Sequence, residues 1–392
     1  RNQFFAVSLQ RNSEMKAESR SIHIPFCKSR CIYCGFYSTT ATELIGKYTN
    51  AICKELELRK EYLHESVSTI YFGGGTPSLL SLDETARILN AIYIYNKVED
   101  GCEITMECNP DDVTTGFAKR LAGLNVNRVS MGVQSFSDDI LAFARRRHKS
   151  EQIRSAIENL REAGIKNISI DLMFGFPNET ISQWNNDIDK AIKLNVEHIS
   201  AYSLMYEEGT ALYKMLEKGT IKECSDDTYL EMYNLLIDKL NDAGYEHYEI
   251  SNFAKSGFRS RHNSSYWHNI PYLGAGAAAH SYNQESRQWN ISNLKEYIRS
   301  IEHGIVPYEE EGLSTDSKFD DYIMTSLRTC EGIDINYIKE NFSIEYYEYL
   351  RKESEPHIKN KLLTLSDDGR RIHLTRKGLF LSDGIMSDLM HV

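Results

Sequence analysis

Cys27-Lys28-Ser29-Arg30-Cys31-Ile32-Tyr33-Cys34 follows directly on a short β-rich run, Ser21–Pro25, and this junction decides how the rest of the chain is read. Runs of the same kind recur at Ser68–Phe72, Cys102–Glu107, Arg128–Gly132, Asn167–Met173 and His198–Leu204. Helix-like segments lie between them, at Thr42–Leu63, Asp83–Lys97, Glu151–Ala163 and Ile181–Leu194. Ser81-Leu-Asp-Glu84 has the capping-box spacing that starts a helix, and Gly164 is placed to stop one. Six βα units over about 185 residues predict an α/β fold with a parallel sheet, open or curled into a partial barrel. Such folds bind ligands at the C-terminal ends of their strands.

The informative motifs all fall at those ends. Three cysteines within eight residues can converge on one metal centre, and they are poorly spaced for disulfides. Structural zinc wants four ligands, and no convincing fourth lies nearby. A cubane iron–sulfur cluster held by three cysteines leaves one iron open to a small molecule. The other five, Cys53, Cys102, Cys108, Cys224 and Cys330, are scattered and read as buried free thiols. After the second run stands Tyr71-Phe72-Gly73-Gly74-Gly75-Thr76-Pro77, whose glycines let the backbone approach a headgroup or a phosphate closely. Glu107-Cys-Asn109-Pro110, Gly132-Val-Gln134-Ser-Phe136 and Asp171-Leu-Met-Phe-Gly175 follow the third, fourth and fifth runs.

Together with His23-Ile-Pro-Phe-Cys27, these motifs resemble the radical S-adenosylmethionine (SAM) superfamily, in the branch that holds anaerobic coproporphyrinogen III oxidase and the HemW-type heme chaperones. The resemblance covers about residues 21–390 and implies a partial (β/α)6 TIM-like barrel. It implies that Cys27, Cys31 and Cys34 hold a [4Fe–4S] cluster whose open iron takes the amino and carboxylate groups of SAM. Tyr33 would lie against the adenine, and Gly74, Gly75 and Thr76 would line the methionine end. Glu107, Gln134, Arg146 and Asp171 match positions around the rest of the cofactor. Carboxylates suit ribose hydroxyls, and a guanidinium suits the methionine carboxylate.

Two features choose between the branches. Oxidases carry a further cysteine two residues after the third; this chain has Phe36 there, the chaperone pattern. Arg261-His262-Asn263-Ser-Ser-Tyr266-Trp267 resembles the His-Asn-X-X-Tyr-Trp motif of the chaperones, in which the histidine is implicated in heme binding. The resemblance thus gives His262, Tyr266 and Trp267 as heme contacts, with His268 and His280 as other candidate ligands. Four departures from the family pattern stand out: Ser21 for tyrosine, Gly35 for aspartate, Arg145 for glycine and Ala278 for glycine.

Beyond Met205 the ladder gives way to helices and an aromatic-rich stretch, Tyr245–Tyr282. Asp226–Ala243 is amphipathic, with Tyr229, Met232, Tyr233, Leu236 and Leu240 on one core-facing stripe. Asp368-Gly369 marks a hairpin between helices Tyr337–Lys352 and Lys377–Met390, a winged-helix-like layout. The expected division is a leader over 1–20, which could be a transit peptide, the barrel over 21–205, a heme-associated α+β extension over 206–310, and a mostly helical C-terminal domain with the winged-helix-like end over 311–392. The 392 residues carry a net charge of −11, which argues against nucleic acid as a partner. No run is apolar enough to span a membrane. The reading that results is a cytoplasmic, HemW-like protein that binds heme and passes it to apo-hemoproteins of the respiratory chain, with a homodimer compatible. The alternative is oxygen-independent coproporphyrinogen III oxidation.

Overall fold

The computed structural model describes residues 17–391. Six parallel strands lie side by side in chain order: β1 (Glu18–Ile24), β2 (Val67–Gly74), β3 (Val98–Cys108), β4 (Arg128–Gln134), β5 (Asn167–Phe174) and β6 (His198–Ser203). The intervening helices are α1 (Ile45–Leu58), α2 (Leu82–Tyr95), α3 (Thr115–Gly123), α4 (Asp138–Phe143), α5 (Ser150–Glu162) and α6 (Ile181–Leu194). These strands are near-continuous apolar runs because helices cover the sheet, and Ile22, Ile70, Phe72, Ile104, Val129, Ile168, Ile170 and Ile199 are fully or almost fully buried. The Ser81/Glu84 capping box starts α2, and Gly164 follows α5 in a left-handed conformation. Two short helices, α3 and α4, had no counterpart in the sequence reading.

The sheet does not end at Met205. After α7 (Ala211–Glu217) and α8 (Asp226–Asp242) come β7 (Glu246–Glu249) and β8 (Asn252–Ala254); β8 pairs antiparallel with β6, and β7 antiparallel with β8 outside it. The chain then runs through α9 (Arg261–Trp267) to the other edge, where β9 (Tyr272–Ala275) pairs parallel with β1. There β10 (His280–Tyr282), β11 (Ser286–Asn290) and β12 (Tyr308–Gly312) complete twelve strands in one sheet, with α10 (Leu294–Glu302) packed on α1. One apolar core runs from Ile22 to Ile301, so 206–310 is the two flanks of the barrel sheet and not a separate core. The aromatic-rich stretch supplies these flanks.

The expected leader also needs correction at its end. Residues 1–16 lie outside the described residues, but Glu18, Ser19 and Arg20 are buried in β1, flanked on both sides by strands. Arg20 reaches Asn96 with its Nε (3.0 Å), and burial pushes its guanidinium down to about 9.

The C-terminal part has its own apolar cluster around Phe319, Ile323, Ile338, Leu350 and Ile385. It comprises α11 (Thr315–Arg328), β13 (Ile333–Asp334), α12 (Ile335–Asn341), α13 (Ile344–Lys359), the hairpin β14 (Leu363–Leu365) and β15 (Arg371–Leu374), then α14 (Arg376–Leu379) and α15 (Ser382–Leu389). The helix expected over Tyr337–Lys352 is broken at Phe342, whose ring packs against Phe319 (5.5 Å). Gly369 makes the hairpin turn at φ +67°. Among the described residues, no helix is long and apolar enough to cross a membrane.

Candidate functional site

The cysteine loop sits at the C-terminal end of β1 and is pinned from three sides. Cys27 N–H donates to Thr39 O (2.9 Å), Ile32 N–H to Ala144 O (3.3 Å), and Leu212 N–H to Ile32 O (2.9 Å). Lys28 and Arg147 both meet the Asp112 carboxylate (3.2 and 2.8 Å), which they hold below its usual range against burial. All three sulfurs are thiols, and burial pushes Cys27 and Cys34 up. Among the described residues the sulfurs are not drawn into a single-ion cage, the arrangement a zinc site would need. Of the other five cysteines, Cys102 and Cys108 are buried, Cys53 and Cys224 are only partly so, and Cys330 is exposed, against the expectation of five buried thiols.

The glycine run closes over this loop. Gly75 N–H donates to Ile24 O (2.8 Å), and a Cβ at Gly75 would stand 3.0 Å from Cys27 Sγ and 2.8 Å from Phe26 O. Gly74 has φ +112° and presses on the His23 ring. Thr76 Oγ1 lies 3.5 Å from Cys27 Sγ. Thus Gly75 and Thr76 meet the cysteine loop, and Gly74 meets the end of β1 that leads into it.

Arg146 enters from the segment after α4. Its Nη1 donates to Cys31 Sγ (3.4 Å) and its Nη2 to Asn109 Oδ1 (2.5 Å) and Gly132 O (2.6 Å), while its Nε is buried with no partner. A bulge at Gly132–Gln134 puts Gln134 at φ +67° and brings its amide to the same glycine that Arg146 crosses. Tyr33 packs edge-on to Phe176 (6.4 Å), and burial raises its phenol. Glu107 accepts from Tyr71 Oη (2.7 Å) and from Gly74 N–H (3.1 Å); burial pushes its carboxyl up to about 7. Asp171 accepts from Ser130 Oγ (3.2 Å) and is also raised by burial. The structure thus brings the expected residues to one end of the barrel around the cysteine loop. Asn109 and Tyr71 belong with them but had not been singled out. Both stood in quoted motifs, Asn109 beside Glu107 and Tyr71 ahead of the glycine run, but nothing local gave either a role.

His262 is different. Its Nδ1 lies 2.7 Å from Thr69 Oγ1 and its Nε2 2.9 Å from Tyr266 Oη, and the ring is stacked on Tyr71 (4.8 Å). Burial holds it down to about 3. Both ring nitrogens are engaged and 1% of the residue's surface is exposed, so a heme could reach the imidazole only if these contacts opened. Tyr266 is spent on His262, and Trp267 lies under the Arg328 guanidinium (4.7 Å). His268 and His280 are exposed, the latter with its ring 6.4 Å from Trp289.

The donor set fits a [4Fe–4S] cluster with SAM. Three cysteines outside any disulfide stand on one loop, Gly75 leaves no room for a side chain beside Cys27, and a buried guanidinium has an unpartnered Nε. Fold and site together define a class, the α/β barrels that carry a three-cysteine loop after their first strand. Comparison with known proteins gives the family. The radical SAM superfamily model matches residues 21–191, and the HemN C-terminal domain model matches 313–381. The chain is 34% identical over 380 residues to heme chaperone HemW of Lactococcus lactis, covering 96% of this chain and 98% of that one. It is 35% identical over 333 residues to the HemW of Bacillus subtilis, covering 84% and 87%. The structure of coproporphyrinogen III oxidase (HemN) from Escherichia coli, a radical SAM enzyme, superposes with a TM-score of 0.83 at 22% identity, over 97% of this chain and 92% of that one. The chain therefore belongs to the radical SAM superfamily, in its HemN-like branch, and there to the HemW family.

Proposed function

We propose that this chain is a heme chaperone. In this reading it holds a [4Fe–4S] cluster on Cys27, Cys31 and Cys34 and SAM among Tyr33, Gly74, Gly75, Thr76, Glu107, Gln134, Arg146 and Asp171, and it delivers heme to apo-hemoproteins such as respiratory enzymes. The observation that carries it is Phe36, two residues after the third cysteine, where an oxidase would have a further thiol; its ring is 73% exposed. The names of the HemW relatives support the same reading.

The cluster, once bound, supplies an electron that can cleave the sulfonium of SAM. The residues' own work is binding and orientation. Arg146 is positioned for a carboxylate and holds Cys31, and Glu107 and Asp171 offer acceptors to ribose hydroxyls. For heme, His262, Tyr266 and Trp267 are the contacts the motif gives, and His280, whose imidazole is exposed beside an indole, is a further candidate ligand. We place the protein in the cytoplasm, as a monomer or a homodimer, reaching membranes only through a partner.

Anaerobically reconstituted protein given coproporphyrinogen III, SAM and reductant should form no protoporphyrinogen at a catalytic rate, while hemin titration should saturate. Catalytic turnover would instead establish the oxidase. Alanine at Cys27, Cys31 or Cys34 should abolish the visible absorption of the reconstituted cluster, and a cluster that survives in all three would overturn the ligand set.

A further inference from the structure

Beneath Glu107, the barrel interior holds a chain of polar contacts that the motifs do not account for. Tyr71 on β2 donates its phenol to Glu107 Oε1 on β3 (2.7 Å), and its ring lies flat on His262, with centroids 4.8 Å apart and planes 19° apart. His262 is fixed in turn. Thr69 donates to Ser19 Oγ (2.9 Å), which leaves its oxygen to accept from His262 Nδ1–H (2.7 Å). His262 Nε2 then accepts from Tyr266 Oη (2.9 Å), and the His262 backbone N–H donates to buried Glu103 (3.1 Å). Ser21 is the register partner of Tyr71 on the neighbouring strand, and its small side chain leaves the lumen to the tyrosine ring.

The consequence falls on Glu107. Each of its oxygens takes one bond from the protein, one from Tyr71 and one from Gly74 N–H (3.1 Å), and each keeps acceptor capacity for a ligand. A carboxylate held at both oxygens cannot rotate away from the position it offers. The Tyr71 ring has no freedom of its own, because it is stacked on an imidazole that is tied at both nitrogens.

We propose that Tyr71 and His262 are positioning residues of the SAM pocket, a stacked pair that aims the Glu107 carboxylate at the ribose hydroxyls. His262 thereby acts on this pocket through Tyr71. This rests on the SAM-binding reading given above.

The test uses full-length protein with its cluster reconstituted, and reads SAM affinity by equilibrium dialysis alongside hemin affinity by titration. Tyr71→Phe keeps the ring stack and should weaken SAM binding roughly tenfold, the usual scale for losing a hydrogen bond to a charged group. Because Tyr71 acts through Glu107, Tyr71→Phe in a Glu107→Gln background should change affinity by less than about twofold. His262→Ala should weaken SAM binding, a loss that a histidine serving heme alone would not produce. Should that variant not fold, the Tyr71→Phe and Glu107→Gln cycle decides the matter alone. Unchanged SAM affinity in Tyr71→Phe, or losses that simply add, overturn the proposal. Loss of hemin with SAM binding intact in His262→Ala overturns the positioning role given to His262. Wild-type protein that binds no SAM overturns the pocket reading itself, a result distinct from wild-type binding that the variants leave untouched.

Discussion

His262 and Glu107, linked through Tyr71, are buried with opposite proton preferences. Desolvation, helped by the nearby Arg128 charge, holds His262 down to about 3 from 6.5. Desolvation raises Glu107 from 4.5 to about 7; Asp171 adds to this, while the bonds from Tyr71 and Gly74 oppose it. The signs follow from proton linkage. Between pH 6.5 and 3 the unfolded chain protonates His262 and the folded chain does not, so this group's stabilisation is lost as pH falls. Between 4.5 and 7 the folded chain keeps a proton on Glu107 that the unfolded chain has released, so that stabilisation is lost as pH rises. Urea denaturation of the cluster-free protein from pH 4 to 8 should show both. His262→Gln should flatten the acid limb, and Glu107→Gln should remove a loss on the order of 1–3 kcal/mol between pH 4.5 and 7. A pH profile identical to wild type in both variants would contradict the buried placement of these groups.

At the scale of elements, two of the departures from the family pattern fall where the backbone is left-handed. Arg145, after α4, has φ +57°, and Ala278, between β9 and β10, has φ +58°. Glycine populates that region freely, and a Cβ there costs roughly 1–2 kcal/mol. Arg145→Gly and Ala278→Gly should each therefore raise stability, by about 0.5–1 kcal/mol once glycine's greater unfolded entropy is counted. Thermal unfolding of the two variants checks this, and a fall in Tm for both would show the turns to be relaxed. A third departure is filled from elsewhere: a Cβ on Gly35 would run into the Glu207 carboxylate, so an acid stands beside the loop although residue 35 carries none. Such relations mark the limit of sequence reading. The cysteine loop, the glycine run and the α2 capping box were legible because their chemistry lies within a few residues. The six-strand order was legible from period and spacing. Tyr71, Thr69 and Glu103 were not, because their partners are set by parallel register between strands. The burial of His262 was not legible either, since a histidine inside a recognisable motif looks the same in sequence whether its nitrogens are open or tied.

On the scale of the whole molecule, the decisive contact is the return of the chain to β1. Ser19 pairs with Tyr272 and Ile22 with Ala275, so the strand that launches the cysteine loop is central only because β9 lies beside it. A buried carboxylate secures the return. Glu55 on α1 accepts from Gly276 N–H (2.8 Å), Asn290 Nδ2 (2.7 Å) and Tyr297 Oη (2.5 Å), and it pairs with Arg59 (3.3 Å). Breaking a buried pair by removing one partner leaves the other charge uncompensated, so Glu55→Ala should cost about 3–5 kcal/mol. The C-terminal part is joined differently, with Arg328 meeting buried Glu249 (2.9 Å) and covering Trp267 (4.7 Å). Truncation should separate the two cases. A chain ending at 205 lacks β9 and leaves β1 as an exposed apolar edge, so it should aggregate on expression. A chain ending at 312 keeps all twelve strands and the main core, and loses the second apolar cluster, the Leu379 and Phe380 contacts to the main core and the charged partner of Glu249. It should fold cooperatively, with Glu249→Gln raising its stability where the same change lowers that of the full chain. Circular dichroism melts of the two truncations, with and without that substitution, read the difference. A soluble, cooperatively folded 1–205 fragment would show that the barrel does not need its returning strand.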